Sequence, residues 1–232
     1  MELPPLIQAA RNGDLDTIKK LHAKGESLNQ THKNGASALI YAAEKDHLDV
    51  VEYLLSAGAD PTIATQMGGT ALNRAAENGN TEIMRYLLDK GVQIGDLAVI
   101  MAAREGKLEA VKMLIEAGAD INARQRWGQT ALMLAAREGH AEVVRYLIDE
   151  GADVKLKDKN DNTALSIAVD NDNADIAMML RKAGAKAAET KKSSPVAISE
   201  DEEDDDVGND VTDVEEIMGD DEEMPDDVDL DD

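Results

Sequence analysis

An all-α solenoid of stacked helix–turn–helix units is the fold class this sequence predicts, on three observations. An Ala-Ala pair recurs at Ala9-Ala10, Ala42-Ala43, Ala75-Ala76, Ala102-Ala103 and Ala135-Ala136, with Ala168-Val169 in sixth place, at steps of 33, 33, 27, 33 and 33 residues. A glycine recurs in the same phase at Gly25, Gly58, Gly91, Gly118, Gly151 and Gly184. Two markers in phase through six units are the signature of a repeat architecture. The third observation is compositional. Hydrophobic residues make up 43% of 232, yet Phe is absent, Trp occurs once and Tyr four times. The core is therefore built from Ala, Leu, Ile, Val and Met, small enough for one short helix to lie close against the next. A single unit cannot bury its apolar face; a row of units can.

Each unit reads as two short antiparallel helices and a polar connection. In the fifth unit Thr130 caps a first helix, Ala131–Glu138, whose inner face is Leu132, Ala135 and Ala136. Gly139 breaks it. A second helix, His140–Glu150, carries Val143, Val144, Leu147 and Ile148 on one side. Gly151 supplies a left-handed C-terminal cap, and Ala152-Asp153 leads into a short hairpin finger. The units run over about 3–28, 33–61, 66–94, 95–121, 126–154 and 159–186, together one domain spanning 1–186.

Gly128–His140 (GQTALMLAAREGH), followed by Gly151-Ala152-Asp153-Val154, resembles an ankyrin repeat, and the period agrees. The resemblance covers Leu3–Lys186, about four fifths of the chain. It implies hairpin fingers along one side, a concave surface lined by the first helices, and binding of proteins. The chain departs from the family pattern at several places. Ala stands for the usual Pro at Ala38, Ala71, Ala98, Ala131 and Ala164, and the His position holds Ile40, Asn73, Ile100, Met133 and Ser166. The Thr–His hydrogen bonding of the family is therefore not expected. The 27-residue step puts Gly95 only four positions after Gly91, against ten from Gly58 to Gly68, so one finger should be missing from the row. The first unit also lacks a finger and reads as an N-terminal cap; Ala174–Lys186 reads as the closing cap.

Charge divides the chain. It holds 48 acidic and 24 basic residues, a net of −24, and Ala187–Asp232 carries 21 of the acids against only Lys191 and Lys192. Residues 187–199 are small, polar and Pro-containing, as in a linker. Residues 200–232 form an acidic tail whose self-repulsion and low apolar content predict disorder. Such a balance argues against direct contact with nucleic acid. With no Cys, disulfides, thiolate metal sites and cysteine nucleophiles are excluded. There is no apolar run of membrane-spanning length, and Met1–Pro5 does not resemble a secretory signal. The expectation is a monomeric cytoplasmic protein, or a nuclear one in a eukaryote, that uses no cofactor, metal or membrane.

No catalytic constellation emerges. The histidines are His22, His32, His47 and His140, and no pair has metal-ligand spacing. His47 and His140 open second helices, where a structural hydrogen bond is the expected role. Candidate binding residues lie on two surfaces. On the first helices, spacing turns Tyr41, Arg74, Met101, Arg104, Leu134, Arg137 and Ile167 away from the core. The apolar row Tyr41, Met101, Leu134 and Ile167 either packs laterally or lines a groove for a partner. At the finger tips stand Lys33-Asn34, Gln66-Met67, Arg126-Trp127 and Lys159-Asn160. Trp127, beside Arg124 and Arg126, is either a binding anchor of the type enriched at hot spots or a lid over a neighbouring finger. Arg74, Arg104, Arg124, Arg126 and Arg137 give the middle of the array a basic cast, unless local pairing neutralises it.

The function expected is a non-enzymatic protein-interaction module. In its concrete form it is an escort or chaperone for a basic protein such as a ribosomal protein or histone, gripped by the repeats and attracted by the tail. A regulatory adaptor whose tail closes the basic concave face, and an acidic mimic of nucleic acid, are the alternatives. Scattered apolar residues such as Val207, Ile217 and Leu230 suit a tail that orders on contact.

Overall fold

The computed structural model describes residues 3–185; the linker and acidic tail expected at 187–232 lie outside them. Among the described residues there are twelve helices, two per unit, and no strand beyond one antiparallel bridge between Thr31 and Ser37. The first helices are α1 (Pro5–Asn12), α3 (Ala38–Glu44), α5 (Ala71–Asn78), α7 (Leu97–Arg104), α9 (Ala131–Glu138) and α11 (Ala164–Asp170). The second helices are α2 (Leu15–Ala23), α4 (Leu48–Ser56), α6 (Thr81–Asp89), α8 (Leu108–Glu116), α10 (Ala141–Asp149) and α12 (Ala174–Lys182). The fifth unit's first helix ends where its sequence predicts, and its second is one residue shorter at each end. None of the twelve is long and apolar enough to cross a membrane.

Each first helix packs on the next along the whole row, from α1 against α3 to α9 against α11, whereas successive second helices touch more sparingly. The Ala pairs explain the difference. Ala42, Ala43, Ala75, Ala76, Ala102, Ala103, Ala135 and Ala136 are wholly buried between neighbouring first helices, and a methyl group lets backbones approach as no larger side chain would. The second layer is held by branched residues, Val50, Val51 and Leu54 in α4 and Val143, Val144 and Leu147 in α10, all buried. Each fully buried Leu stabilises the stack by about 2 kcal/mol.

Hydrogen bonds stitch one unit to the next. Before four of the second helices the preceding residue reaches back to the end of the first helix in the previous unit. His47 Nε2 donates to the Arg11 carbonyl at 3.1 Å and His140 Nε2 to the Arg104 carbonyl at 2.8 Å. Asn80 and Asn173 do the same with their amides, to Ala43 and Ala136, at 3.1 and 2.9 Å. Those carbonyls lack helical partners because their helices end there. Room for the imidazole comes from a missing side chain: a Cβ on Gly106 would lie 2.6 Å from His140 Nδ1.

Four connections form the fingers, each closed by a backbone bond across its tip: His32–Ala36, Thr65–Gly69, Gln125–Gln129 and Asp158–Asn162, at 2.9 to 3.0 Å. The helix that follows each is capped by a hydroxyl, from Ser37, Thr70, Thr130 and Thr163. At the family's His position Ser166 completes a capping box with Thr163, and Asn73 donates to the Gly68 carbonyl at 3.2 Å. Two of the five units thus replace the lost Thr–His interaction with another local bond. The fourth unit has neither finger nor cap. Its connection is too short, Leu97 takes the place of the hydroxyl residue, and Asp96 makes no side-chain capping bond.

Candidate functional site

The finger row and the exposed side of the first helices meet over the third to fifth units, and the expected residues fall into three groups. Arg74 and Arg104 are tied into an ion-pair network. Glu77, with only 16% of its side chain exposed, accepts from Arg74 Nη1 through one oxygen and from Arg104 Nη2 through the other, each at 2.6 Å. Arg104 Nε also meets Glu105 at 2.9 Å. Two cations face two carboxylates, so this part of the expected basic surface is electrically balanced. Glu77 escaped the sequence reading as a shared partner, although its place three residues after Arg74 is the helical spacing for such a pair.

The apolar row is the second group, and here the structure corrects an expectation. Leu134 is 3% and Ile167 4% exposed; both pack laterally and offer nothing to a partner. Tyr41 and Met101 are half-buried, and Tyr41 accepts from Asn34 Nδ2 at 3.4 Å. A helix face turned from its own unit's core is still covered when the next unit sits close, and an apolar side chain at that position takes the cover.

The fingers form the third group. Met67 is 88% and Trp127 60% exposed. The Arg126 guanidinium stands 5.7 Å from the centre of the Trp127 ring, within cation–π range. Arg124 donates to the Lys157 carbonyl on the next finger at 3.2 Å. Arg124, Arg126 and Arg137 have no carboxylate within ion-pair distance among the described residues. Beside them Lys155, Lys157 and Lys159 project from the fourth finger, all exposed. Of these only Lys159 stood out from the sequence, as a finger tip; the alternation of Lys with other residues was the signal for Lys155 and Lys157.

Nothing in these groups is arranged for bond-breaking chemistry. The described residues contain no cluster of His, Cys, Asp or Glu suited to a metal. His47 and His140 are engaged as above, His22 Nδ1 lies 2.9 Å from the Tyr53 hydroxyl, and His32 Nδ1 lies 3.3 Å from Asn34 Oδ1. On the opposite side, α6 and α8 flank a shallow open groove of about 580 Å³ lined by Arg85, Leu88, Lys112 and Met113 among others. The Glu109 carboxylate, 2.7 Å from Lys112 Nζ, raises that lysine's pKa by its hydrogen bond.

Comparison with known proteins agrees with this architecture. A family model described as "Ankyrin repeats (3 copies)" matches residues 6–97 and again 99–191. No curated protein matches at a significant level. Among solved structures, one similar chain belongs to the complex of the Bd0816 predatory endopeptidase from Bdellovibrio bacteriovorus with immunity protein Bd3460. It shares 32% identity over 78% of this chain and 99% of that one, with a TM-score of 0.68. The human ASB11 ankyrin repeat domain shares 27% identity over 79% of this chain and 85% of that one, with a TM-score of 0.70.

Proposed function

Since the chain belongs to the ankyrin-repeat family, whose members generally bind other proteins, we propose that it is a non-enzymatic module that grips a protein partner with its third finger and the neighbouring first helices. The observation that carries this reading is Trp127. A lone Trp, 60% exposed, stands on a finger tip under an arginine, where a small polar residue would serve the turn equally well. Large aromatic and Arg side chains supply most of the energy at protein interfaces. Arg126, Arg124 and Arg137 set the polar surround, and Met67, Tyr41 and Met101 the remaining apolar contacts. Arg74 and Arg104 contribute through the Glu77 network rather than as free cations.

The acidic C-terminal stretch adds a long-range attraction for a basic partner, which makes the chain an escort or chaperone for a basic cytoplasmic protein and keeps the chain itself monomeric. Opposite charges raise the association rate more than the final affinity. Stopped-flow binding to a histone across a salt series tests it. Removal of 200–232 should slow association at low salt and flatten the salt dependence; unchanged salt dependence would refute the escort role. Crosslinked partners recovered with the intact chain and lost with Trp127→Ala test the finger independently.

A second reading is favoured by the 32% identity with a chain of an endopeptidase–immunity protein complex. In it the partner is a hydrolase held inactive by the fingers. Inhibition of an endopeptidase by the intact chain, relieved by Trp127→Ala, would select this reading. The regulatory alternative, in which the tail closes a basic concave face, has less behind it, because Arg74 and Arg104 already share Glu77 and Glu105.

A further inference from the structure

The fingers pair in twos, and the pairing stops where the fourth unit has none. Gln66 N donates to the Asn34 carbonyl at 2.9 Å, joining the second finger to the first, and Lys159 N donates to the Trp127 carbonyl at 3.0 Å, joining the fourth to the third. By the same register the Met67 carbonyl should accept from a following finger and Arg126 N should donate to a preceding one. Neither has a backbone partner among the described residues. They are the facing edges of a notch one finger wide. A finger is a hairpin two extended segments across, at about 4.8 Å per segment, so a hairpin or a pair of extended segments fills it. Its floor is Leu97, whose Cδ1 lies 3.2 Å from where a Cβ on Gly68 would stand.

The tip residues follow the same division. Equivalent positions on the four fingers hold Asn34, Met67, Trp127 and Asn160. The two outer fingers keep Asn, a residue that suits a turn; Asn34 Oδ1 accepts from Ala36 N at 3.0 Å, whereas in the fourth finger Asp158 Oδ1 accepts from the equivalent Asn162 N at 2.9 Å. The two that border the notch expose a large apolar side chain at the same position. Charge adds a third element. The third and fourth fingers carry Arg124, Arg126, Lys155, Lys157 and Lys159 against Asp158 and Asp161, in a chain whose net charge is strongly negative.

We propose that the notch between the second and third fingers is a docking slot for an extended or hairpin segment of a partner protein, with an apolar residue between Met67 and Trp127 and acidic residues toward Arg124 and Arg126. The segment adds to the open finger edges as a strand adds to a sheet and stands in for the missing finger. The proposal rests on the module reading above and goes beyond it by naming the place and the chemistry.

A displayed library of disulfide-cyclised peptides of about a dozen residues, selected on the full chain, is the probe. The selected peptides should combine Asp or Glu with an apolar residue, and should protect the Arg126 amide from hydrogen exchange. Two variants then decide. Met67→Asn with Trp127→Asn copies the tips of the outer fingers and leaves the fold intact; it should weaken the peptides about tenfold or more, the scale of lost hot-spot contacts. Six residues inserted between Ile94 and Gly95 restore the finger missing from the fourth unit and should abolish binding, with circular dichroism confirming the helices. Peptides that bind both variants as tightly as the parent would overturn the slot while leaving the module reading in place. A library yielding no binder would overturn the slot too, and partner crosslinking with Trp127→Ala would still test the module.

Discussion

The fourth and fifth units stand side by side on helices that pack alike. Ala102 and Ala103 are as buried as Ala135 and Ala136, and Val111 and Leu114 as Val144 and Leu147. The connections that enter them differ. The fifth unit receives a closed finger, a threonine cap and an exposed tryptophan; the fourth receives a short link, no cap and Leu97. Six residues can be lost from a finger without disturbing the stack because stability in a solenoid is carried by the contacts between neighbouring helices. The projecting edge is free to vary, and variation there is what recognition requires.

The largest effects should be equal in the two units. Leu114→Ala and Leu147→Ala each remove a wholly buried side chain and should each cost about 2–5 kcal/mol in urea unfolding. If Leu114→Ala costs far less, the missing finger has loosened the fourth core and the equivalence fails. Next come the glycines around the fourth unit. Gly106→Ala would force a Cβ to 2.6 Å from His140 Nδ1 at a φ of +66°, whereas Gly118→Ala, at +92°, meets nothing within 4 Å. The first should cost about 2 kcal/mol or more and the second only the strain of its backbone, about 1 kcal/mol; equal losses by thermal melting would show that the stitch through His140 contributes little.

Smaller effects separate the connections themselves. Thr130→Ala should lower stability by about 1 kcal/mol through loss of the bond to Met133 N, while Leu97→Ala loses apolar contact but no cap. Smallest of all, Trp127→Ala should change the unfolding free energy by less than about 0.5 kcal/mol while weakening partner binding. A large loss of stability would reassign Trp127 to packing within the finger row.

The helices, their order and the shortened fourth connection were legible in the amino-acid string, since short-range spacing determines them: a first helix needs only Ala and Leu at the right steps, and a finger needs a minimum number of residues. The structural roles expected of His47 and His140 proved correct for the same reason, as each stands at a fixed place in its unit. Three features depended on the folded stack. Leu134 was expected to face a partner and is buried, because what covers it comes from a neighbouring unit. Whether Arg74 and Arg104 give a basic surface or are neutralised by local pairing was open from the sequence; the answer is set by Arg104, which reaches across to Glu77 from 27 residues further along the chain. The open backbone edges at Met67 and Arg126 become visible only when fingers from successive units are set beside one another. Each of these is a relation between units, and a one-dimensional period describes what repeats within a unit far better than what meets across the boundary between two.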